Sequence, residues 1–312
     1  MNHTAFREGI RDHFDVIIVG AGPAGLSAAL ILGRCRRRVL VCDAGHPRNA
    51  ASHAMHGYLT RNGIAPGEFL QTARTQLHPY ETVALVEDEA TDVASFEGGF
   101  TVQVKSRPHY TCRKLLLATG VVDSVPPIPG IEQFYGRSVH HCPYCDGWER
   151  CDQPLAVYGR GDKGCDLALM LTLWSQDLVL CTDGPAELSD KQRARLARHH
   201  IPVREEPIAR LEGTPNGALE RLVFVSDETL SRRALFFNTG QTQCSPLFSK
   251  LGCDFTGKGG IRSGDTEEIN VPGLYVAGDA SRDVQFVIVA AAEGAQAAVA
   301  INRALLREDG LC

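Results

Sequence analysis

Apolar runs alternate with glycine turns and helical patterns along this chain. Residues 14–19 read FDVIIV, an uninterrupted run of the kind found in strands buried on both faces. The glycine turn GAGPAG follows, and LSAALILGRC continues as a helix. The next apolar run, RVLVCD, ends on Asp43. This order predicts a strand, a helix and a second, parallel strand.

The pattern returns in residues 153–184, where QPLAVYG, a second glycine turn and LVLCTDG follow one another. The two glycine fingerprints start 139 residues apart, at Gly20 and Gly159. An internal repeat of this kind predicts an α/β fold with two doubly wound, Rossmann-like domains, each with one dinucleotide crevice.

Three further segments indicate how the domains follow one another. KLLLATG (114–120) and LFFNTG (235–240) are strands that end in glycine, and the proline-rich VPPIPG (125–130) marks a crossing between domains. GLYVAGDA then puts Asp279 at a strand end, before an alanine-rich helix over about residues 286–306. We therefore predict a first domain in two parts, residues 1–123 and 241–312, with a second domain, residues 124–240, inserted into it.

The first glycine turn has the chemistry of a nucleotide site. Gly20, Gly22 and Gly25 complete GxGxxG between a strand and a helix, where backbone amides can bind a pyrophosphate. Asp43 stands 23 residues after Gly20, where a carboxylate can accept a hydrogen bond from a ribose hydroxyl. The alternative is an ordinary strand-to-helix turn with three chance glycines.

Composition narrows the class of protein. The 312 residues include 32 Lys and Arg and 37 Asp and Glu, a net charge of −5, which argues against nucleic acid as a partner. The polar N-terminus has no apolar signal region, and apolar runs such as FVIVAAA stop short of the roughly 20 residues that span a bilayer. These features predict a cytoplasmic enzyme without a membrane segment.

Most of the eleven cysteines lie in apolar segments such as VLVCDAG, where a thiol acts as a small hydrophobe. Cys142 and Cys145 differ, because they form CxxC in HHCPYCDGWE. That spacing serves zinc sites, structural disulfides and redox couples alike. Against zinc, no second CxxC completes a set of four ligands. Against a structural role, so short a loop constrains the unfolded chain little, and a stable CxxC disulfide in the cytoplasm is more often catalytic.

Four motifs in order, GAGPAG, ATG, CPYCDG and YVAGDA followed by QFVIVAAAEGAQAA, run through nearly the whole chain. In these motifs the chain resembles the low-molecular-weight thioredoxin reductase-like family of FAD-dependent pyridine nucleotide-disulfide oxidoreductases. The resemblance implies FAD as the cofactor and a homodimer. It also implies electron exchange with a thioredoxin-like protein or a small dithiol.

The resemblance further assigns residues to the flavin. It places the pyrophosphate on the glycine turn, the adenosine ribose on Asp43 and the ribityl chain on Asp279, with other contacts before the inserted domain and at the start of the last helix. The full set comprises Gly20, Gly22, Pro23, Ala24, Gly25, Asp43, Ala44, Gly45, Arg48, Asn49, His56, Ala118, Thr119, Gly120, Gly278, Asp279, Gln285, Phe286 and Val287.

The same resemblance gives the CxxC segment its roles. Cys145 lies against the flavin, Cys142 exchanges with the substrate sulfur, and Asp146 carries the proton. For Asp146 the alternative is a turn cap before the glycine that follows it. The neighbouring His140 and His141 are expected to be exposed.

The inserted domain departs from the family pattern. NADPH-using thioredoxin reductases usually carry HRRxxxR after its second strand, where this chain reads LCTDGPAELSDKQRAR. Asp183 would repel a 2′-phosphate but accept from an unmodified ribose, which argues against NADPH and leaves NADH open. A related group of flavoenzymes passes electrons from small dithiols through FAD to oxygen, and tends to have histidine at the place of Asp146. Two alternatives therefore stay open, an oxygen-dependent dithiol oxidase and a flavin-binding redox sensor with little turnover.

Overall fold

The computed structural model describes residues 12–311, leaving out the side chains of Arg107 and Pro108. Contacts divide the chain into two compact units. Unit 1 comprises the described parts of Met1–Arg48, Gly67–Val122 and Thr242–Cys312, and unit 2 comprises Asn49–Pro66 and Asp123–Gln241. Residues 49–66, which the sequence analysis assigned to the first domain, thus cluster with the second unit.

The strands, in chain order, are β1 (His13–Val19), β2 (Val39–Cys42), β3 (Val83–Val86), β4 (Ala90–Phe96), β5 (Gly99–Val104), β6 (Arg107–Leu117), β7 (Val121–Asp123), β8 (Val139–His140), β9 (Leu155–Tyr158), β10 (Leu178–Cys181), β11 (Val203–Arg204), β12 (Ile208–Gly213), β13 (Leu219–Phe224), β14 (Thr229–Ser231), β15 (Ala234–Phe237), β16 (Gln241–Gln243) and β17 (Leu274–Val276). The helices are α1 (Pro23–Arg34), α2 (Pro66–Thr75), α3 (Ile131–Phe134), α4 (Pro143–Asp146), α5 (Gly161–Leu171), α6 (Asp190–Arg198), α7 (Leu247–Lys250) and α8 (Val287–Glu308). Trp148–Arg150 form one turn of 3₁₀ helix.

Unit 1 is built on a sheet of order β3-β2-β1-β6-β5-β4, with β17 beside β6. Its central pairings are parallel, whereas β4 and β5 form an antiparallel edge. From Val16 to Val19, successive side chains of β1 enter hydrophobic cores on opposite faces of the sheet, which is why this part of the strand is apolar without interruption. On one face α1 and α8 approach closely, because a Cβ placed on Gly294 would lie 2.0 Å from the Ala24 carbonyl oxygen.

Unit 2 contains a parallel sheet of order β11-β10-β9-β15-β8 and an antiparallel sheet of order β12-β13-β14. Helix α5 crosses from β9 to β10, as in other doubly wound units. The strands β7 and β16, where the chain passes between the units, pair with each other.

The predicted α/β class with two Rossmann-like sheets is confirmed by this architecture. The apolar runs at residues 14–19 and 274–276 lie in β1 and β17, and the alanine-rich segment forms α8. Among the helices formed by residues 12–311, none is both long enough and apolar enough to cross a membrane.

Candidate functional site

Cys142 and Cys145 form a disulfide in unit 2, with their Cα atoms 5.3 Å apart. Strand β8 ends at His140, and the chain turns at Cys142 into helix α4, which has Pro143 in its first position. Proline fits there because the first helical turn needs no amide donor. The amides of Cys145 and Asp146 both donate to the Cys142 carbonyl oxygen at 3.2 Å. This single turn holds the two sulfurs together and leaves both residues partly exposed.

Asp146 faces a buried histidine. The His140 Nδ1 atom lies 3.3 Å from the Asp146 Oδ1 atom, and His140 is only 4% exposed. The His140 ring also packs against Phe236, with ring centroids 5.3 Å apart. Its Nε2 atom is buried and finds no hydrogen-bond partner among residues 12–311. The prediction that His140 is exposed is therefore wrong, because β8 pairs with β15 and carries this side chain into the interior.

His141, by contrast, is half-buried and belongs to a second polar group. Its Nδ1 atom lies 3.3 Å from the Tyr135 hydroxyl, which donates to the Asp123 carboxylate at 2.9 Å. Neither Tyr135 nor Asp123 belongs to a motif, so sequence reasoning did not single them out. The two histidines before the disulfide thus have different environments, and only His140 reaches the carboxylate beside the disulfide.

Aromatic side chains lie on the surface next to the disulfide. Tyr144, between the two cysteines, is 63% exposed, and Trp148 is 78% exposed. The Tyr144 ring meets Trp174 edge to face, with centroids 5.9 Å apart. Exposed large aromatic groups of this kind are typical of binding surfaces. This surface offers an apolar contact to a molecule that approaches the disulfide.

The buried cysteines have a different chemistry. Cys42, Cys112, Cys165 and Cys181 are fully buried, which confirms their interpretation as small hydrophobic side chains. Burial raises the pKa of the Cys42 and Cys181 thiols to about 12, and the pKa of Cys112 rises further for the same reason. Because the thiolate is the reactive form, these cysteines are inert near neutral pH. In the described part of the chain, no group of three or more His, Cys, Asp or Glu side chains is placed to hold a metal.

The first glycine turn in unit 1 leaves room for a pyrophosphate. A Cβ placed on Gly20 would lie 2.3 Å from the Ala118 carbonyl oxygen, and one on Gly25 only 1.9 Å from the Gly20 carbonyl oxygen. Those two glycines are therefore needed for close packing. Gly22 differs, because no atom lies within 4 Å of a Cβ placed there, and it caps the N-terminus of α1. This open helix end fits the pyrophosphate of FAD.

Further flavin candidates meet around Arg48. Its Nη1 atom donates to the Asp279 carboxylate and to the Gln285 side-chain oxygen, both at 2.7 Å. Phe286 caps the N-terminus of α8, and Val287 is the first residue of that helix. The structure thus brings together Asp279, which the resemblance assigned to the ribityl chain, and other residues from the set that it assigned to FAD.

Two buried glutamates and a partly exposed arginine form an ion network that holds the turn carrying Asp279. Arg282 donates to both Glu267 carboxylate oxygens at 2.8 Å and to Glu293 at 2.7 Å. The second Glu293 oxygen accepts from the Gly278 amide at 2.7 Å. Burial raises the pKa of Glu293, against the effect of these hydrogen bonds. Sequence reasoning missed all three charged residues, because only the folded chain brings them together.

A cavity of about 560 Å³ in unit 1 is lined by Asp43, Ala44 and Gly45. One Asp43 oxygen accepts from the Gly45 amide at 3.0 Å, and the other accepts from the Arg74 guanidinium. Arg74 lines the same cavity, so a cation stands beside the carboxylate that we assigned to the adenosine ribose.

The remaining flavin candidates have mixed positions. Strand β6 is followed directly by Ala118, Thr119 and Gly120. The Thr119 hydroxyl is buried and has no hydrogen-bond partner among the described residues, which is consistent with a group that binds a ligand. Asn49 and His56 belong to unit 2, whereas the other flavin candidates belong to unit 1. The His56 Nδ1 atom lies 3.4 Å from the Glu149 carboxylate.

Comparison with known proteins identifies the family. The family model described as pyridine nucleotide-disulphide oxidoreductase matches residues 14–294. A probable thioredoxin reductase of Arthroderma benhamiae is 31% identical over 306 residues, covering 88% of this chain and 76% of the relative. The NADPH-dependent thioredoxin reductase 3 of Arabidopsis thaliana is 26% identical over 312 residues, covering 93% of this chain and 58% of the relative. A putative thioredoxin reductase TrxB from Bacillus anthracis has a solved structure that superposes with a TM-score of 0.90 at 33% identity, over 95% of this chain and 99% of that chain.

The chain therefore belongs to the pyridine nucleotide-disulphide oxidoreductase family. Within this family it is a thioredoxin reductase-like flavin disulfide oxidoreductase, a group that uses FAD. Both the predicted family and the predicted cofactor are confirmed.

Proposed function

We propose that the protein exchanges electrons between FAD and a dithiol or disulfide substrate through the Cys142–Cys145 pair. The observation that carries this proposal is the partly exposed disulfide with the Asp146–His140 pair directly behind it. A redox couple needs two sulfurs that can bridge and a group that handles protons, and this segment supplies both.

The residues of unit 1 fit FAD, and they divide its binding among them. The amides around Gly22 would hold the pyrophosphate, Asp43 the adenosine ribose, and Asp279 the ribityl chain. Arg48 and the Glu267–Arg282–Glu293 network orient the Asp279 turn. Bound FAD would supply the two-electron partner that restores the disulfide after each turnover.

In the direction of dithiol oxidation, a substrate thiolate attacks Cys142 and forms a mixed disulfide, while Cys145 leaves as a thiolate. The second substrate sulfur then attacks the first, the substrate disulfide departs, and Cys142 is released. Two electrons pass from the substrate to the cysteine pair, and two protons are handled at the site. Asp146 accepts and returns one of them, with its carboxylate held by His140.

The exposed Tyr144 and Trp148 support a substrate with an apolar face. A thioredoxin-like protein and a small dithiol both react through a pair of thiols. Separate assays with reduced thioredoxin and with dithiothreitol therefore distinguish these two candidate substrates. We expect FAD-loaded protein to be reduced anaerobically by at least one of them, as bleaching of the flavin absorbance. Absence of bleaching with both would contradict the proposal and favour a redox sensor with little turnover.

Variants test the cysteine pair itself. Cys142→Ser and Cys145→Ser should each abolish turnover, because exchange needs an attacking and a resolving sulfur. Cys151→Ser is the matched control, since Cys151 lies close by, with its Sγ atom 3.8 Å from the Gly147 carbonyl oxygen, but outside the disulfide. It should keep the activity of the unmodified protein. Retained activity in either of the first two variants would contradict the assigned mechanism.

A further inference from the structure

The two glycine fingerprints allow a comparison within one chain. The Gly20 amide donates to the Cys42 carbonyl oxygen at 2.8 Å, and the Gly159 amide donates to the Cys181 carbonyl oxygen at 3.2 Å. These bonds put the two turns in the same register on their sheets. Gly161 therefore corresponds to Gly22.

The helix N-terminus that is open in unit 1 is covered in unit 2. The Gly161 amide donates to the Ala186 carbonyl oxygen at 2.9 Å, and a Cβ placed on Gly161 would lie 3.6 Å from the Glu187 carbonyl oxygen. Ala186 itself is 1% exposed. A dinucleotide pyrophosphate needs the amides at this helix end. Here the loop over residues 182–187 uses one of them.

The end of the second strand also lacks the ribose acceptor. By the same register, Thr182 stands where unit 1 has Asp43, and its hydroxyl is directed to the Gly184 carbonyl oxygen at 2.5 Å. Asp183 comes one residue later, in the left-handed conformation with φ of 53°. Its carboxylate accepts from the Ile208 amide at 2.8 Å and from the Tyr158 hydroxyl at 3.3 Å. The carboxylate is thus directed to β9 and β12 within unit 2.

Arg160, inside the second fingerprint, lies across the same strand end. Its Nε atom donates to the Thr182 carbonyl oxygen at 2.6 Å, and an Nη atom donates to the Asp183 carbonyl oxygen. The Glu187 carboxylate is 4.0 Å from the guanidinium and places a negative charge beside the covered helix end. The guanidinium is therefore bound by the chain itself where a nucleotide ribose would approach.

We propose that unit 2 does not take a nicotinamide dinucleotide, because Arg160 and the loop over residues 182–187 fill its crevice. For its consequence the inference rests on the proposed function: the electrons for bound FAD would come from the dithiol substrate through Cys142–Cys145. The substrate dithiol loses two electrons and two protons and becomes a disulfide. Bound FAD would take up these two electrons and two protons, which balances one dithiol oxidised for each FAD reduced.

Direct binding tests the closed crevice independently of turnover. FAD-loaded, oxidised protein is titrated with NADH and with NADPH by isothermal titration calorimetry, and the NADPH-dependent relative from Arabidopsis thaliana serves as the positive control. We expect no saturable binding with a dissociation constant below about 1 mM for either nucleotide. Saturable binding of either one would overturn the inference.

Anaerobic reduction then separates this inference from the proposed function. The expected result is bleaching of the flavin by dithiothreitol or reduced thioredoxin, with no bleaching by either nucleotide. Bleaching by a nucleotide would overturn the closed crevice even if the dithiol also acts. If no dithiol bleaches the flavin and no nucleotide binds, the closed crevice stands and the proposed dithiol chemistry fails.

Discussion

The substitution Gly22→Ala tests whether unit 1 holds FAD at its glycine turn. Gly22 has φ of −76° and ψ of −175°, an extended conformation that alanine adopts without strain. The added methyl group would meet no protein atom within 4 Å. The protein without its cofactor should therefore fold as before, with a change in the free energy of unfolding of at most about 0.5 kcal/mol.

The expected loss falls on FAD binding alone. The methyl group would stand in the space that the pyrophosphate needs and would keep it away from the helix amides. A hydrogen bond to a charged group contributes about 1.5–3 kcal/mol. Loss of one such bond should weaken FAD binding by about 10- to 150-fold, since each 1.4 kcal/mol is a factor of ten.

Gly25→Ala is the matched control from the same motif. Its methyl group would lie 1.9 Å from the Gly20 carbonyl oxygen, so this variant should lower the melting temperature even without cofactor. The assay titrates cofactor-free protein with FAD by the quenching of flavin fluorescence and follows thermal unfolding in parallel. If Gly22→Ala binds FAD as tightly as the unmodified protein, the pyrophosphate does not lie at this turn. If the cofactor-free variant unfolds at a lower temperature, the space beside Gly22 is not open as described.

Three further predictions concern the thiols and their proton carrier. If Cys145 faces the flavin, as the resemblance implies, Cys142→Ser should give a broad long-wavelength absorbance band from the Cys145 thiolate, and Cys145→Ser should lack this band. Equal spectra of the two variants would contradict the assigned roles. Asp146→Asn should lower turnover with dithiothreitol by about 100-fold or more, because the substitution removes a general acid and base. An unchanged rate would contradict this role and support the alternative, in which Asp146 only caps the turn. Native protein treated with iodoacetamide at neutral pH should stay unlabelled at Cys42 and Cys181, because burial raises the pKa of both thiols to about 12. Unfolded protein should be labelled at both cysteines, and mass spectrometry of the peptides measures the labelling in each case.

The parallel sheets were predictable because their strands are buried on both faces. Residues 16–19 show no alternation of polar and apolar side chains, and in the structure the successive side chains from Val16 to Val19 enter two different cores. The disulfide pair was also predictable, since its sequence spacing equals one helical turn in α4. Both features depend on residues that are close together in the sequence, and a sequence pattern shows such residues directly.

The partners of the disulfide segment depend instead on tertiary contacts. Two adjacent histidines in a polar segment indicated an exposed pair, yet β8 is an edge strand beside β15 and turns His140 towards Phe236. When two neighbouring residues lie in a short strand, no local sequence pattern indicates which of the two side chains faces the interior. Residues 49–66 show the same limit, because they precede the inserted segment by more than fifty residues and still cluster with it.

The glycine fingerprints of the two units show which position of GxGxxG depends on nucleotide binding. A Cβ on Gly25 would strike the Gly20 carbonyl oxygen, and a Cβ on Gly164 would come within 2.7 Å of the corresponding atom of Gly159. The first and last glycines are thus required in both units, because helix and strand backbones approach each other there whether or not a nucleotide binds. The middle glycine faces open space in unit 1 and a backbone carbonyl in unit 2, although the motif reads the same. A match to the fingerprint therefore identifies the strand–helix packing, and the residues after the second strand decide whether a dinucleotide can occupy the crevice.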